Sequence, residues 1–75
     1  MEAKNRYTLQ ELFNNLPISI AELARRSTVN EVTIARIRDG ESIALRSTAN
    51  KLLRVFSEVY SKTLTLDNVD FPVRG

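Results

Sequence analysis

The 75-residue chain contains no cysteine and no histidine. Without cysteine there is no disulfide framework. Without either residue the usual zinc sites are excluded, and so is the commonest general base. The lack of cysteine fits a reducing compartment. No apolar run approaches the roughly 18 residues needed to span a bilayer, and the opening "MEAKNRY" lacks the apolar region of a secretory signal. No glycine-rich phosphate loop, nucleophile–base set or metal-ligand cluster is present. The sequence therefore reads as non-enzymatic, with no cofactor and no membrane partner, and as cytoplasmic. A chain of this length supports one small domain of marginal stability, the size at which a partner often helps.

What is present is an uneven charge distribution. The net charge is +2, yet the span from Arg25 to Arg54 holds seven basic residues and three acidic ones and is +4, while the remainder is −2. The middle of the chain suits a polyanion. Taken alone, the same count also fits ordinary solvated surface charge.

Three helix starts carry local signals. Thr8-x-x-Glu11 is a capping box, with Tyr7 and Leu12 as its apolar staple. Ser19-x-x-Glu22 is a second, between Ile18 and Leu23. Asn30 caps a third start, with Val29 and Ile34 as the staple. The apolar stripes agree with these starts. Leu9, Leu12, Phe13 and Leu16 fall at i, i+3, i+4 and i+7, and Pro17 closes that helix. Ile20, Leu23 and Ala24 mark a two-turn second helix. Ile34 and Ile37 mark the inner side of a third, stopped at Asp39-Gly40, where glycine suits a left-handed C′ position. Glu41 to Arg46 reads as a connector. A long helix from Ser47 to about Tyr60 buries Ala49, Leu52, Leu53, Phe56, Val59 and Tyr60. Beyond Lys62, Thr65 is placed to cap one turn, and Val69, Phe71 and Val73 alternate as in an extended tail. Pro72 permits only an edge strand there, or none.

A short helix, a break of three to four residues and a second helix form a helix-turn-helix arrangement. The segment "IAELARRSTVNEVTIARIRDG" resembles the phage-repressor-like (Cro-type, XRE) helix-turn-helix family. The matching features are Glu22-Leu23-Ala24, Val29-Asn30 at the turn, and Thr33-Ile34-x-Arg36-Ile37-x-x-Gly40. The resemblance runs from about Leu9 to Leu66. It implies an all-α, compact four- to five-helix lambda-repressor-like domain over 8–62, with the motif at about 19–40. An N-terminal arm (1–7) and a C-terminal tail (63–75) flank it. Two positions depart from the family pattern. Thr28 stands where glycine is usual in the turn, and a β-branched residue at positive φ is strained. Arg38 stands where glutamate is usual, so it meets Glu11 or faces a DNA backbone instead.

With Ile34 and Ile37 inward, Val32, Ala35, Arg36 and Asp39 point outward. A helix lying in the major groove has uses for such a mixture. Small Ala35 lets the backbone approach, Val32 meets a thymine methyl, and Arg36 forks to guanine O6 and N7. The resemblance implies base contacts from Asn30, Glu31, Val32, Thr33 and Arg36. Each has a plainer reading as well: a cap for Asn30, a helix-dipole partner for Glu31, a scattered exposed apolar residue for Val32, and a back-bond for Thr33. Candidate backbone contacts are Ser19, Ile20, Arg26, Thr28, Arg46, Ser47 and Lys51, near helix N-termini that suit phosphate. The expected function is sequence-specific binding of double-stranded DNA by a small bacterial or phage-encoded regulator, such as a repressor. The expected form is a homodimer on a palindromic operator, with 31–39 as the reading helix. The alternatives are an antitoxin that also binds a toxin, and a module on the same fold that presents Val32 and Ala35 to a protein. The tail reads equally as a dimerisation element or as a segment that is folded back on its own domain or disordered.

Overall fold

The computed structural model describes residues 6–74, so most of the expected N-terminal arm lies outside the described residues. Four helices form the body: α1 (Leu9–Asn14), α2 (Ile20–Ser27), α3 (Glu31–Arg38) and α4 (Arg46–Tyr60). Four strands of two residues each tie them together: β1 (Tyr7–Thr8), β2 (Ala44–Leu45), β3 (Val69–Asp70) and β4 (Val73–Arg74). β1 pairs in parallel with β3, Tyr7 opposite Val69 and Thr8 opposite Asp70. β2 pairs in parallel with β4, Ala44 opposite Val73 and Leu45 opposite Arg74.

These ladders correct the all-α, four- to five-helix lambda-repressor-like expectation. The fold is four helices laced by two short parallel strand pairs, and no fifth helix forms among the described residues. The physical reason lies in the tail. Thr65 organises one turn: its hydroxyl accepts from the Asp67 N–H at 3.2 Å, and its carbonyl accepts from the Asn68 and Val69 N–H groups at 3.2 and 3.0 Å. The chain then leaves extended, with no helical stripe to continue. Phe71 and Pro72 separate β3 from β4. Proline has no N–H for a ladder, so pairing stops and resumes beyond it. The tail thus returns to its own domain, with Val69 and Phe71 buried in the core.

The helices form where their caps dictate. The Thr8 hydroxyl accepts from the Glu11 N–H at 3.1 Å, while the Glu11 carboxylate accepts from the Thr8 N–H at 2.9 Å, a closed capping box. The Ser19 hydroxyl accepts from the Glu22 N–H at 3.1 Å, and the Asn30 side-chain oxygen accepts from the Val32 N–H at 2.8 Å. Leu23, Ile34, Ala49, Leu52 and Phe56 are fully buried and join α2, α3 and α4 around one core. Phe56 meets the Phe13 ring edge-on, centroids 5.5 Å apart and planes at 89°. α4 buries a wider face than its stripe suggests: Val55 is also covered, and β2 and β4 pack on the same helix.

Thr28 ends α2 in the left-handed conformation, at φ 62° and ψ 25°. For a β-branched residue this costs about 1–2 kcal/mol, whereas glycine adopts it freely at the expense of about 0.5–1 kcal/mol of chain entropy. Thr28→Gly should therefore stabilise the protein by about 0.5–1 kcal/mol, raising the thermal midpoint by about 2–8 °C. Circular dichroism melting of the two proteins measures this. An unchanged or lowered midpoint would mean that the turn carries no strain.

Candidate nucleic-acid interface

α2 and α3 are joined by three residues, Thr28, Val29 and Asn30, and pack against each other. The turn is fastened from inside. Val29 is buried, and Ser27, the one buried polar side chain among the described residues, accepts from the Val29 N–H at 3.3 Å through its hydroxyl. Nothing in the periodicity marked Ser27; its position as the last residue of a short helix is the only signal. With the turn fixed, Ile34 and Ile37 anchor α3 inward and set which residues face out.

Asn30, Glu31, Val32, Thr33 and Arg36 are all exposed, and Ala35 is half-buried between them. Val32 keeps 59% of its surface in water, the most exposed of the large apolar residues among those described. Val32 and Arg36 are four apart and share a helix face. Asn30 uses its side-chain oxygen as the cap, which leaves the amide NH2 as a donor. The outer face of α3, from its cap at Asn30 to Arg36 in its last turn, therefore presents a methyl pair, a small residue, an amide donor and a guanidinium together.

The flanking candidates divide. Ser19 accepts through its hydroxyl oxygen and so retains its O–H for an anion. Ile20, half-buried, begins α2. Thr28 spends its hydroxyl proton on the Ser27 carbonyl. Arg46, Ser47 and Lys51 are exposed at the start of α4. That helix begins one residue before the expected serine, with Leu45 in the capping position and no side-chain cap. The strand pairing at Leu45 delivers the chain directly into the helix.

Arg26 and Arg25 both turn to Glu22. Arg25 donates through Nε at 3.1 Å and through a terminal nitrogen, and Arg26 donates through Nε at 2.7 Å. Those hydrogen bonds, Arg25's foremost, outweigh desolvation and hold the Glu22 carboxyl down at about 2. An unfolded glutamate titrates near 4.3. The linked stabilisation is thus complete above that pH and is lost as pH falls towards 2; at this exposed site it is small. Carboxyl NMR titration should give a Glu22 midpoint near 2, moving upward in Arg25→Ala. A midpoint near 4.3 in the parent would contradict the clamp. Arg38 does not pair with Glu11: it donates to its neighbour Asp39 at 3.0 and 3.3 Å, and this lowers the Asp39 carboxyl pKa.

A groove of about 190 Å³ lies apart from these residues, between β1, α1 and the end of α4, lined in part by Tyr7, Leu12, Tyr60 and Lys62. The Tyr60 hydroxyl donates to the Leu12 carbonyl at 2.5 Å, and Lys62 lies 4.7 Å from the Tyr7 ring centre and donates to its hydroxyl. No group of His, Cys, Asp and Glu able to hold a metal occurs among the described residues. Among the described residues no helix is long and apolar enough to cross a membrane. Comparison with protein-family models, with curated proteins and with solved structures gives no match to this chain.

Proposed function

We propose that this protein binds double-stranded DNA sequence-specifically as a small transcriptional regulator of a bacterium or phage. In this reading α3 lies in the major groove, and two copies act across a two-fold axis. The observation that carries the reading is the exposed outer face of α3. Val32 stands 59% exposed there beside Arg36, a composition that water does not call for and a groove does. Three further features support it. The middle of the chain is cationic, exposed Arg46 and Lys51 stand at the start of α4, and the α2–turn–α3 segment resembles the phage-repressor-like helix-turn-helix. Arg36 is assigned to guanine, Val32 to a thymine methyl, Asn30 to a base acceptor, and Ser19, Ser47 and Lys51 to phosphates.

Selection from random duplex DNA tests this reading. A two-fold consensus with half-sites about 34 Å apart is expected, since dimers of helix-turn-helix units read successive turns of one duplex face. Affinity for the selected site should fall steeply with salt through counterion release, and Lys51→Ala should flatten the slope by about one while weakening all sequences alike. Failure to enrich any sequence, with no salt-dependent duplex binding, would reject the reading and leave the exposed face to a protein partner such as a toxin.

A further inference from the structure

Ile43 and Leu45 are 56% and 52% exposed, on a segment that reads in sequence as a mere connector. They flank buried Ala44, so the alternation of an extended chain turns both to the same outer side. In the β2–β4 ladder Leu45 stands opposite Arg74, and residues in register share a face. Continuing that register one step puts exposed Pro72 beside Ile43. The outer side of the ladder is therefore an apolar stripe of Ile43, Leu45 and Pro72. Exposed Arg74 lies at one end, and exposed Glu41 precedes Ile43 at the other.

We propose that this stripe is a homodimer contact, occupied by the same stripe of a second copy. The charges give the reason for choosing a second copy. A two-fold axis lying between the copies, at the level of Ala44 and across the strand, runs the two stripes antiparallel, laying Ile43 on the partner's Leu45 and bringing the Glu41 end of each copy to the Arg74 end of the other. An isologous contact needs this self-complementarity, and a stripe with one sign of charge at both ends would repel its copy. The area sets the strength. A stable interface takes about 800 Å² from each partner, and three side chains supply a small part of that, so the free protein associates weakly. Bound side by side on one duplex, two copies meet at high effective concentration and the contact becomes cooperativity. That last step rests on the DNA-binding reading; the contact itself does not.

The test is sedimentation and amide NMR without DNA as the intact protein is raised into the millimolar range. Concentration-dependent dimerisation with amide shifts confined to Glu41–Arg46, Val73 and Arg74 is expected. Ile43→Lys alone and Leu45→Glu alone should each abolish it. The double variant I43K/L45E should restore it, because the antiparallel register places each new lysine against the partner's new glutamate. Circular dichroism checks that each variant folds, as these side chains leave the core untouched. Dimerisation that survives Ile43→Lys, maps elsewhere, or never occurs at millimolar concentration would overturn the proposal. A dimer that forms as described but binds no duplex would leave the contact standing and reject only the DNA-binding reading.

Discussion

Replacing Phe56 with alanine is expected to cost about 3–5 kcal/mol, the range for removing a buried phenylalanine and leaving its cavity. Phe56 is fully buried. Its ring takes the edge contact of Phe13 at 5.5 Å and lies 6.4 Å from Tyr60. It thereby joins α1 to the middle of α4, and the loss includes the roughly 0.5–1.5 kcal/mol that an aromatic pair adds beyond burial. A domain of this size holds only about 4–11 kcal/mol in total. The substitution therefore removes about a quarter of the stability or more. The thermal midpoint should fall by about 12 °C or more, and urea unfolding should show the same loss with an unchanged slope. A loss below about 1 kcal/mol would mean that α1 and the α4 face are not packed through this ring.

The second large effect concerns recognition. Arg36→Ala is expected to weaken the selected duplex by about 1–3 kcal/mol and to erase preference at one base pair. Arg36 is exposed, one turn beyond Val32 on the same face, and makes no ion pair among the described residues. Its guanidinium is therefore unspent, unlike those of Arg25, Arg26 and Arg38, which are held by Glu22 and Asp39. Removing it should leave folding nearly unchanged, since surface substitutions away from packed groups stay within about 0.5 kcal/mol. Competition titrations against duplexes substituted at each position separate a base contact from a phosphate contact. Equal loss on every sequence would make Arg36 a backbone contact, and no loss would remove α3 from the interface.

How much of this was legible in the sequence depended on range. Caps were legible because both partners lie within three residues: Thr8 with Glu11, Ser19 with the Glu22 N–H, Asn30 with the Val32 N–H. Ile34 and Ile37 were legible because their spacing matches one helix face. The strand pairs were not. Tyr7 meets Val69 and Leu45 meets Arg74 across long stretches of chain, and two extended residues leave no period to detect. The alternation of Val69, Phe71 and Val73 told of extended chain but not of its partners. α1 ends at Asn14, two residues before the stripe runs out at Leu16, because the N–H and side-chain amide of Asn15 both donate to the Glu11 carbonyl and close the last turn. At the site, Ala35, expected outward with Val32, Arg36 and Asp39, is half-buried, whereas the exposure of those three followed from the helical wheel. The engagement of Arg26 with Glu22 did not, because Glu22 had a plausible role in its own capping box. The Ile43–Leu45 stripe escaped notice because two apolar residues in a connector acquire a face only once β4 lies beside them.

The most direct test of the central claim is NMR mapping of the selected duplex onto the protein, following backbone amides and the Val32 methyls. The account predicts that the largest shifts fall on Asn30 to Arg36 and the first turn of α4, with Val32 methyl contacts to a thymine methyl. Shifts that leave α3 unmoved, or that gather at the groove beside Tyr7 and Tyr60, would contradict it.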